Sequence, residues 1–284
     1  MADSIHETFP AEWQISSPEL FVETHTSRII MVRLADGTPA VVKALNETGM
    51  REELRGVHYL DWHDGNGSIR VLAENGNLLL LEHAGSRTLL DHLNAHGDDA
   101  ATAIAVDVLL KLQGNNGKGK SFAPDLRPLR EQYACLFKKA EIDRNNGDAS
   151  IFVAAAGIAD TLLSNPVDVQ PLQGDVHHEN ILLGDRGWLV IDPQGLLGDP
   201  MYDAANMFYN PLERQDLRTS DQRVATMALT FSRAFNRDIG TILGYAMSHA
   251  ALSASWHTED ANFEEAERSL GVARAVQRVM ASLG

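Results

Sequence analysis

Gln173-Gly174-Asp175-Val176-His177-His178-Glu179-Asn180-Ile181-Leu182-Leu183, followed by Ile191-Asp192-Pro193, is the stretch on which the reading of this chain turns. Residues 181–183 and 188–191 are short apolar runs. Asp185-Arg186-Gly187 supplies a turn between them, so the segment predicts a β-hairpin. A hairpin sets its outer ends side by side. Asn180, just before the first strand, and Asp192, just after the second, are therefore expected at the same end. An amide oxygen and a carboxylate are hard donors that suit Mg²⁺, which takes few protein ligands and keeps positions for phosphates and water. Asp175, in a polar loop before Asn180, can face the same point. A carboxylate that orients a hydroxyl, beside a metal that neutralises phosphate charge, is an arrangement for phosphoryl transfer. Any one of these residues alone reads as a turn cap. Their joint spacing is what points to chemistry. His177-His178 invites a zinc reading, but neighbouring histidines diverge and no third ligand stands at a zinc spacing.

Outward from this segment the pattern changes along the chain. Towards the N-terminus, residues 28–34 (RIIMVRL) and 39–45 (PAVVKAL) flank the turn pair Asp36-Gly37 and predict a second hairpin. A helix is expected over residues 50–62, with Leu54, Val57, Tyr59 and Leu60 on its apolar face and Asp64-Gly65 as its stop. Residues 69–73 and 77–82 read as two further strands joined by Glu74-Asn75-Gly76. After Gly85 the apolar spacing becomes three and four residues. One helical stripe runs from Ala101 to Leu112, a second from Leu126 to Ala140 and a third from Ile151 to Leu163. Beyond the central hairpin, helices are expected from Arg223 onward and from about Phe263 to Leu283. Strands first, helices afterward and a small hairpin among the helices predict an α+β fold of two lobes. The junction falls near residues 82–87, giving an N-terminal lobe over 1–84 and a C-terminal lobe over 85–284. The loop over residues 114–120 (GNNGKGK) is not read as a phosphate loop, because no strand leads into it and no Gly-Lys-Ser/Thr opens a helix after it.

The central segment resembles the catalytic loop of aminoglycoside phosphotransferases and related small-molecule kinases, whose pattern is His-Gly-Asp-x-His-x-x-Asn and then a hydrophobic-Asp pair. Gly198-Asp199-Pro200-Met201-Tyr202-Asp203-Ala204-Ala205 resembles that family's Gly-Asp-Pro-x-x-Asp-x-Ala. The details at residues 177–180, 187–193 and 205–211 look most like the streptomycin 6-kinase and hydroxyurea phosphotransferase branch. The resemblance implies a protein-kinase-like fold with a small β-rich N-lobe and a larger, mainly helical C-lobe. It implies Asp175 as catalytic base, Asn180 and Asp192 as Mg²⁺ ligands, and His177 and Asp203 as braces of the loop. Gln173 stands where the family has its first histidine, which bears on how the loop is positioned.

A lobe of this kind needs a strand lysine for the α- and β-phosphates of ATP and a helix glutamate to hold it. Lys43 sits mid-strand in Val41-Val42-Lys43-Ala44-Leu45, where a charge is otherwise out of place except as a guard on an edge strand. Its partner is expected to be Glu52 or Glu53. Glu53 fits the family's helix pattern better. The phosphate-covering loop before residue 28 holds Thr24-His25-Thr26-Ser27 and no glycine, so the resemblance assigns phosphate contacts to the hydroxyls and amides of Thr26 and Ser27. Leu81-Glu82-His83-Ala84-Gly85 resembles the hinge that binds adenine, with Glu82 and Ala84 acting through their main chain.

Composition narrows the partners. The 284 residues carry a formal charge of −15, which argues against a nucleic-acid binder. The apolar runs are too short to span a bilayer, and residues 1–10 lack the core of a signal peptide. The single cysteine, Cys135, excludes an intrachain disulfide and reads as a packed thiol, so a cytoplasmic protein is expected. The expected partners are a nucleoside triphosphate and a small-molecule acceptor. The branch resemblance suggests streptomycin. A cation of that kind needs carboxylates, and the candidates are Asp175 itself, Glu213, Asp216, Glu259 and Asp260. The alternatives are a kinase for a sugar or other metabolite, a nucleotide-binding pseudokinase, and a metal-dependent phosphohydrolase using Asp175, His177 and His178. The acidic excess is greatest over residues 1–84 and smallest after residue 198, so it reads mainly as a solvated surface.

Overall fold

The computed structural model describes residues 7–114, 117, 121–122 and 125–283. The loop read over 114–120 and the start of the chain therefore lie largely outside the described residues. Eight consecutive elements build the first lobe and its exit: β1 (Ser16–Glu23), β2 (Ser27–Arg33), β3 (Pro39–Leu45), α1 (Glu47–Glu52), α2 (Leu54–His63), β4 (Val71–Asn75), β5 (Leu78–Glu82) and β6 (Arg87–Thr88). The first five strands form one antiparallel sheet in the order β1-β2-β3-β5-β4. Alternation along the strands sorts its two faces. Ile30, Val32, Ala40, Val42, Leu78 and Leu80 close a small core with Trp13. Ile29, Met31, Val41, Lys43 and Leu81 turn the other way and line a cleft.

Two features differ from the sequence reading. The helix expected over residues 50–62 is two helices that break at Glu53, which caps α1 and precedes α2. The side chain of Asn46 accepts from the amides of Thr48 and Gly49, so the first helix starts at Glu47 rather than at Met50. Strand β1 has no counterpart in the expectations. It is an edge strand exposed over most of its length, so it shows no alternating apolar pattern.

The second part of the chain is mainly helical: α3 (Leu89–His96), α4 (Asp98–Gln113), β7 (Arg127–Pro128), α5 (Leu129–Gln132), α6 (Ala134–Asn145), α7 (Ile151–Ser164), β8 (Gln170–Leu172), β9 (Ile181–Gly184), β10 (Gly187–Val190), β11 (Leu196–Gly198), α8 (Met201–Tyr209), α9 (Gln215–Arg218), α10 (Asp221–Phe235), α11 (Ile239–Glu259) and α12 (Phe263–Leu283). The stripe from Leu126 to Ala140 is interrupted at Tyr133 and divides into α5 and α6. Helix α11 packs against α6, α7, α8, α10 and α12 and forms the spine of the large core. The fold is thus α+β and two-lobed, a β-sheet lobe followed by a mostly helical one. No helix among the described residues is long and apolar enough to cross a membrane.

Between the lobes, Gly85 holds a φ of +86°, and a Cβ there would lie 2.1 Å from the carbonyl oxygen of Leu183. Only glycine lets the connecting segment lie this close to the β9 hairpin. Arg186, in the hairpin's turn, donates to both carboxylate oxygens of Glu82 at 2.7 and 2.6 Å and to the carbonyls of Gly65 and Ser68. The hairpin is thereby tied to the end of β5.

Candidate active site

The β9–β10 hairpin pairs Ile181 with Val190 and Gly184 with Gly187. Just outside the strands, the Ile191 amide donates to the Asn180 carbonyl at 3.0 Å, so Asn180 and Asp192 emerge together. Asn180 donates its amide nitrogen to the Asp175 carbonyl at 3.0 Å and faces the Asp175 carboxylate at 3.4 Å. Among the described residues its amide oxygen has no protein partner. Asp192 has a φ of +50°, a left-handed conformation that a non-glycine residue holds only under constraint. Gln173 supplies constraint, since its amide nitrogen donates to the carbonyls of Ile191 at 2.7 Å and Asp192 at 3.3 Å. Its amide oxygen accepts from the Asp175 N–H at 2.5 Å. One buried side chain therefore clamps the Asp175 loop to the Asp192 loop.

Beneath this clamp, the carboxylate of Asp203 accepts from the amides of Gln173 at 3.0 Å and Gly174 at 2.8 Å. Burial pushes this carboxyl up to about 7, against the pull of those two amides. His177 accepts from the Glu179 amide at 3.3 Å through Nδ1, and its Nε2 lies 3.7 Å from an Asp175 oxygen. His178 points into the interior instead, where burial pushes its imidazole down to about 3. Among the described residues no group of three or more His, Cys, Asp and Glu is arranged to hold a metal, so the phosphohydrolase reading with Asp175, His177 and His178 has no geometric basis.

Lys43 reaches this point from β3. Its Nζ lies 2.5 Å from a Glu53 oxygen and 2.5 Å from an Asp192 oxygen. Burial pulls the ammonium down, but the two carboxylates outweigh it and hold the group above its ordinary value. Of the two glutamates considered from the sequence, Glu53 is the one paired. It sits at the break between α1 and α2, where the chain turns it towards the sheet.

Three cavities are lined by these residues and their neighbours. The largest, about 720 Å³, is lined by Lys43, Glu53 and Asp192 at one end and by Thr26, Ser27, Glu82 and Ala84 along its wall. A smaller one, about 190 Å³, is lined by Asp175, His177, Asn206, Tyr209, His249 and Ser253. The third, about 610 Å³, shares Gln194 and Trp256 with the second and adds Glu131, Lys138 and Glu259. Two details bear on the sequence reading. The amides of Thr26 and Ser27 donate to the hydroxyl of Thr24 at 3.3 and 3.0 Å, so they are engaged within their own loop. The Glu82 amide donates to the Arg70 carbonyl at 3.0 Å while its side chain holds Arg186, so main-chain action by Glu82 falls to its carbonyl.

Of the acceptor candidates, the structure brings Glu259 to a cavity wall, where it pairs with Lys138 at 2.6 Å. Glu213, Asp216 and Asp260 line none of these three cavities. Asp216 is engaged by Arg214, two residues away, at 2.8 Å, and Asp260 lies at the exposed end of α11.

Residues 12–261 match the model of a family described as aminoglycoside/hydroxyurea antibiotic resistance kinase. The chain belongs to this family. A streptomycin 3''-kinase of Klebsiella pneumoniae is 34% identical over 257 residues, covering 87% of this chain and 90% of the relative. A streptomycin 6-kinase of Streptomyces griseus is 26% identical over 275 residues, covering 94% and 86%. The fold is shared with an aminoglycoside phosphotransferase solved with AMP-PNP and hygromycin B, at a TM-score of 0.62 and 13% identity, over 93% of this chain and 94% of that one. The protein is thus a small-molecule kinase. In this kinase, sequence reasoning missed four contributors to the site: Thr24, Arg186, Asn206 and His249. For the last two a signal existed, since each is a polar residue within a mainly apolar helical segment.

Proposed function

We propose that this kinase transfers the γ-phosphoryl group of ATP to a hydroxyl of an aminoglycoside such as streptomycin, which inactivates the antibiotic. The observation that carries the reading is the hydrogen-bonded link from Asp175, in the small cavity, towards Asp192, in the large one. Through Asn180, Asp175 is hydrogen-bonded to the end of the hairpin that carries Asp192. A nucleotide in the large cleft and an acceptor in the small cavity would meet there. In this reading residues 1–84 form the nucleotide-binding lobe and residues 85–284 the catalytic and acceptor-binding lobe.

Lys43, held by Glu53, pairs with the α- and β-phosphates, and the apolar walls from Ile29, Val41, Leu81, Leu182 and Ile191 receive the base next to the main chain of residues 82–84. Thr26 and Ser27 cover the phosphates from the β1–β2 loop. Asn180 and Asp192 would hold Mg²⁺, and the donors fit it. Asn180 uses its amide nitrogen on Asp175, which leaves the oxygen, and Asp192 offers a half-exposed carboxylate. When bound, the ion neutralises charge on the phosphates. Asp175 orients the acceptor hydroxyl and takes its proton as the new P–O bond forms and the bond to the leaving diphosphate breaks. His177 and Asp203 brace the loop through their contacts with its backbone.

The case for a cationic acceptor is local and rests on Asp175 in the second cavity and Glu131 in the third, since Glu259 there is already paired with Lys138 and Arg127 stands on the same wall. Incubation with Mg-ATP and a panel of streptomycin, other aminoglycosides, hydroxyurea and sugars tests the reading by mass spectrometry. Streptomycin is expected to gain one phosphoryl group. Turnover of a sugar with no product from streptomycin would end the resistance reading. Asp175→Ala is expected to lower kcat by about 10²–10⁴-fold with nucleotide binding retained. A wild-type rate in that variant would reject Asp175 as the base.

A further inference from the structure

We propose that Asn206 and His249 are positioning residues that hold the Asp175 carboxylate through a directed chain of hydrogen bonds. The proposal rests on the reading of Asp175 as the group that takes the hydroxyl proton. Helix α8 is buried along its whole length. Tyr202, Asn206 and Tyr209 recur at helical spacing and share the face that packs on α11. On α11, His249 lies among Ala246, Met247, Ala250 and Ala251, all buried. A side-chain amide and an imidazole in such an interface are unfavourable unless they bond to something.

They bond to each other and to Asp175. The Asn206 amide nitrogen lies 2.8 Å from Asp175 Oδ1. Its amide oxygen lies 2.8 Å from Asn210 Nδ2 and 3.0 Å from His249 Nε2. The direction of every bond follows from the chemistry. An ionised carboxylate only accepts, so Asn206 must face it with its NH₂ group. Its oxygen then faces His249, which must donate from Nε2. Burial keeps that ring neutral, with its pKa pushed down to about 4, so it carries a single N–H and the chain has one polarity. Tyr202 and Tyr209 meet the ring edge-on at 5.4 and 5.8 Å and restrict its rotation. Asp175 Oδ1 is thereby fixed from the helical side. Its Oδ2 faces Asn180 and His177 at longer range, 3.4 and 3.7 Å, and is the oxygen left with capacity for an acceptor hydroxyl.

The test uses the whole 284-residue chain with Mg-ATP and streptomycin, alongside ¹⁵N NMR of the histidine rings. Asn206→Ala is expected to lower kcat roughly tenfold to a hundredfold, the scale of a misplaced reacting group, with the KM for ATP unchanged. His249→Leu is expected to lower kcat about tenfold, and His249→Gln, whose Nε2 overlies that of the ring, to recover most of the loss. Because His249 acts through Asn206, the double variant N206A/H249L should be no slower than N206A. NMR should show His249 as the Nε2–H tautomer. Losses that multiply in the double variant, equal losses in H249Q and H249L, or an Nδ1–H tautomer overturn the proposal. Because the tautomer is read without turnover, it tests the chain even if Asp175→Ala leaves activity intact and the reading of the base fails.

Discussion

Gln173 is fully buried, and both ends of its amide are in use. It receives the N–H of Asp175 and gives its own to the chain on either side of the Ile191–Asp192 bond. An amide offers a donor and an acceptor from one rigid plane and does not titrate, so this clamp is indifferent to pH. Gln173→Leu keeps most of the volume but leaves the Asp175 N–H and the Ile191 carbonyl without partners. A fully buried orphan costs about 1–3 kcal/mol, and these part-buried groups lose less than that each. The variant is expected to lose stability on that scale in urea titration, and kcat more than the KM for ATP. A kcat within about twofold of wild type would mean that loop placement does not depend on the clamp. From the sequence, Gln173 was legible only as a departure from a motif. Its task depends on backbone groups some twenty residues downstream, which a pattern of side chains does not reveal. Lys43 and Asp175, both of which line cavities, stand out in the sequence because a charge in an apolar strand or at a fixed motif spacing is visible locally. Glu213, Asp216 and Asp260 line none of the three cavities described, and nothing local in the sequence tells a cleft carboxylate from one that faces solvent or, like Asp216, pairs with Arg214.

Long apolar runs and strong turns are visible at the scale of elements. The β2–β3 and β9–β10 hairpins and the last helix lie close to where periodicity places them. Strands of two or three residues such as β6, β7, β8 and β11 are too short to carry a period, and their pairing is set by partners far along the chain. The break at Glu53 is invisible for a related reason, because both helices continue the same apolar face. Helix α2 also has a contact that no propensity scale anticipates. A Cβ on Gly56 would lie 2.1 Å from the carbonyl oxygen of Pro193, the residue after Asp192. Alanine is favoured over glycine inside a helix by about 1 kcal/mol. The overlap is with backbone, which cannot swing aside, so it outweighs that gain. Gly56→Ala is expected to lower the thermal midpoint and to reduce kcat by displacing the Asp192 loop from α2. A rise in Tm with unchanged kcat would show that the helix can move without the loop.

For the molecule as a whole, the charge of −15 says little about the acceptor, because its excess is greatest in the first 84 residues. Buried titratable groups say more about how the fold responds to pH. Burial pushes the imidazoles of His63, His178 and His249 down to about 4, about 3 and about 4. Between roughly pH 4 and 6.5 the unfolded chain binds protons on these rings and the native chain does not, so stability rises with pH across that window. Asp203 acts in the opposite sense. Raised to about 7, it holds a proton in the native state that the unfolded chain has released, so its share of stability falls as pH rises from about 4 to 7. Three rings oppose one carboxyl, and the rings prevail. The thermal midpoint is therefore expected to climb between about pH 4.5 and pH 6.5 and then to flatten, as both contributions run out near neutrality. Scanning calorimetry across that range checks it. A midpoint that falls over the same interval would mean that at least two of the three histidines are protonated in the native protein. That would also break the single polarity assigned to the Asp175–Asn206–His249 chain if His249 were one of them.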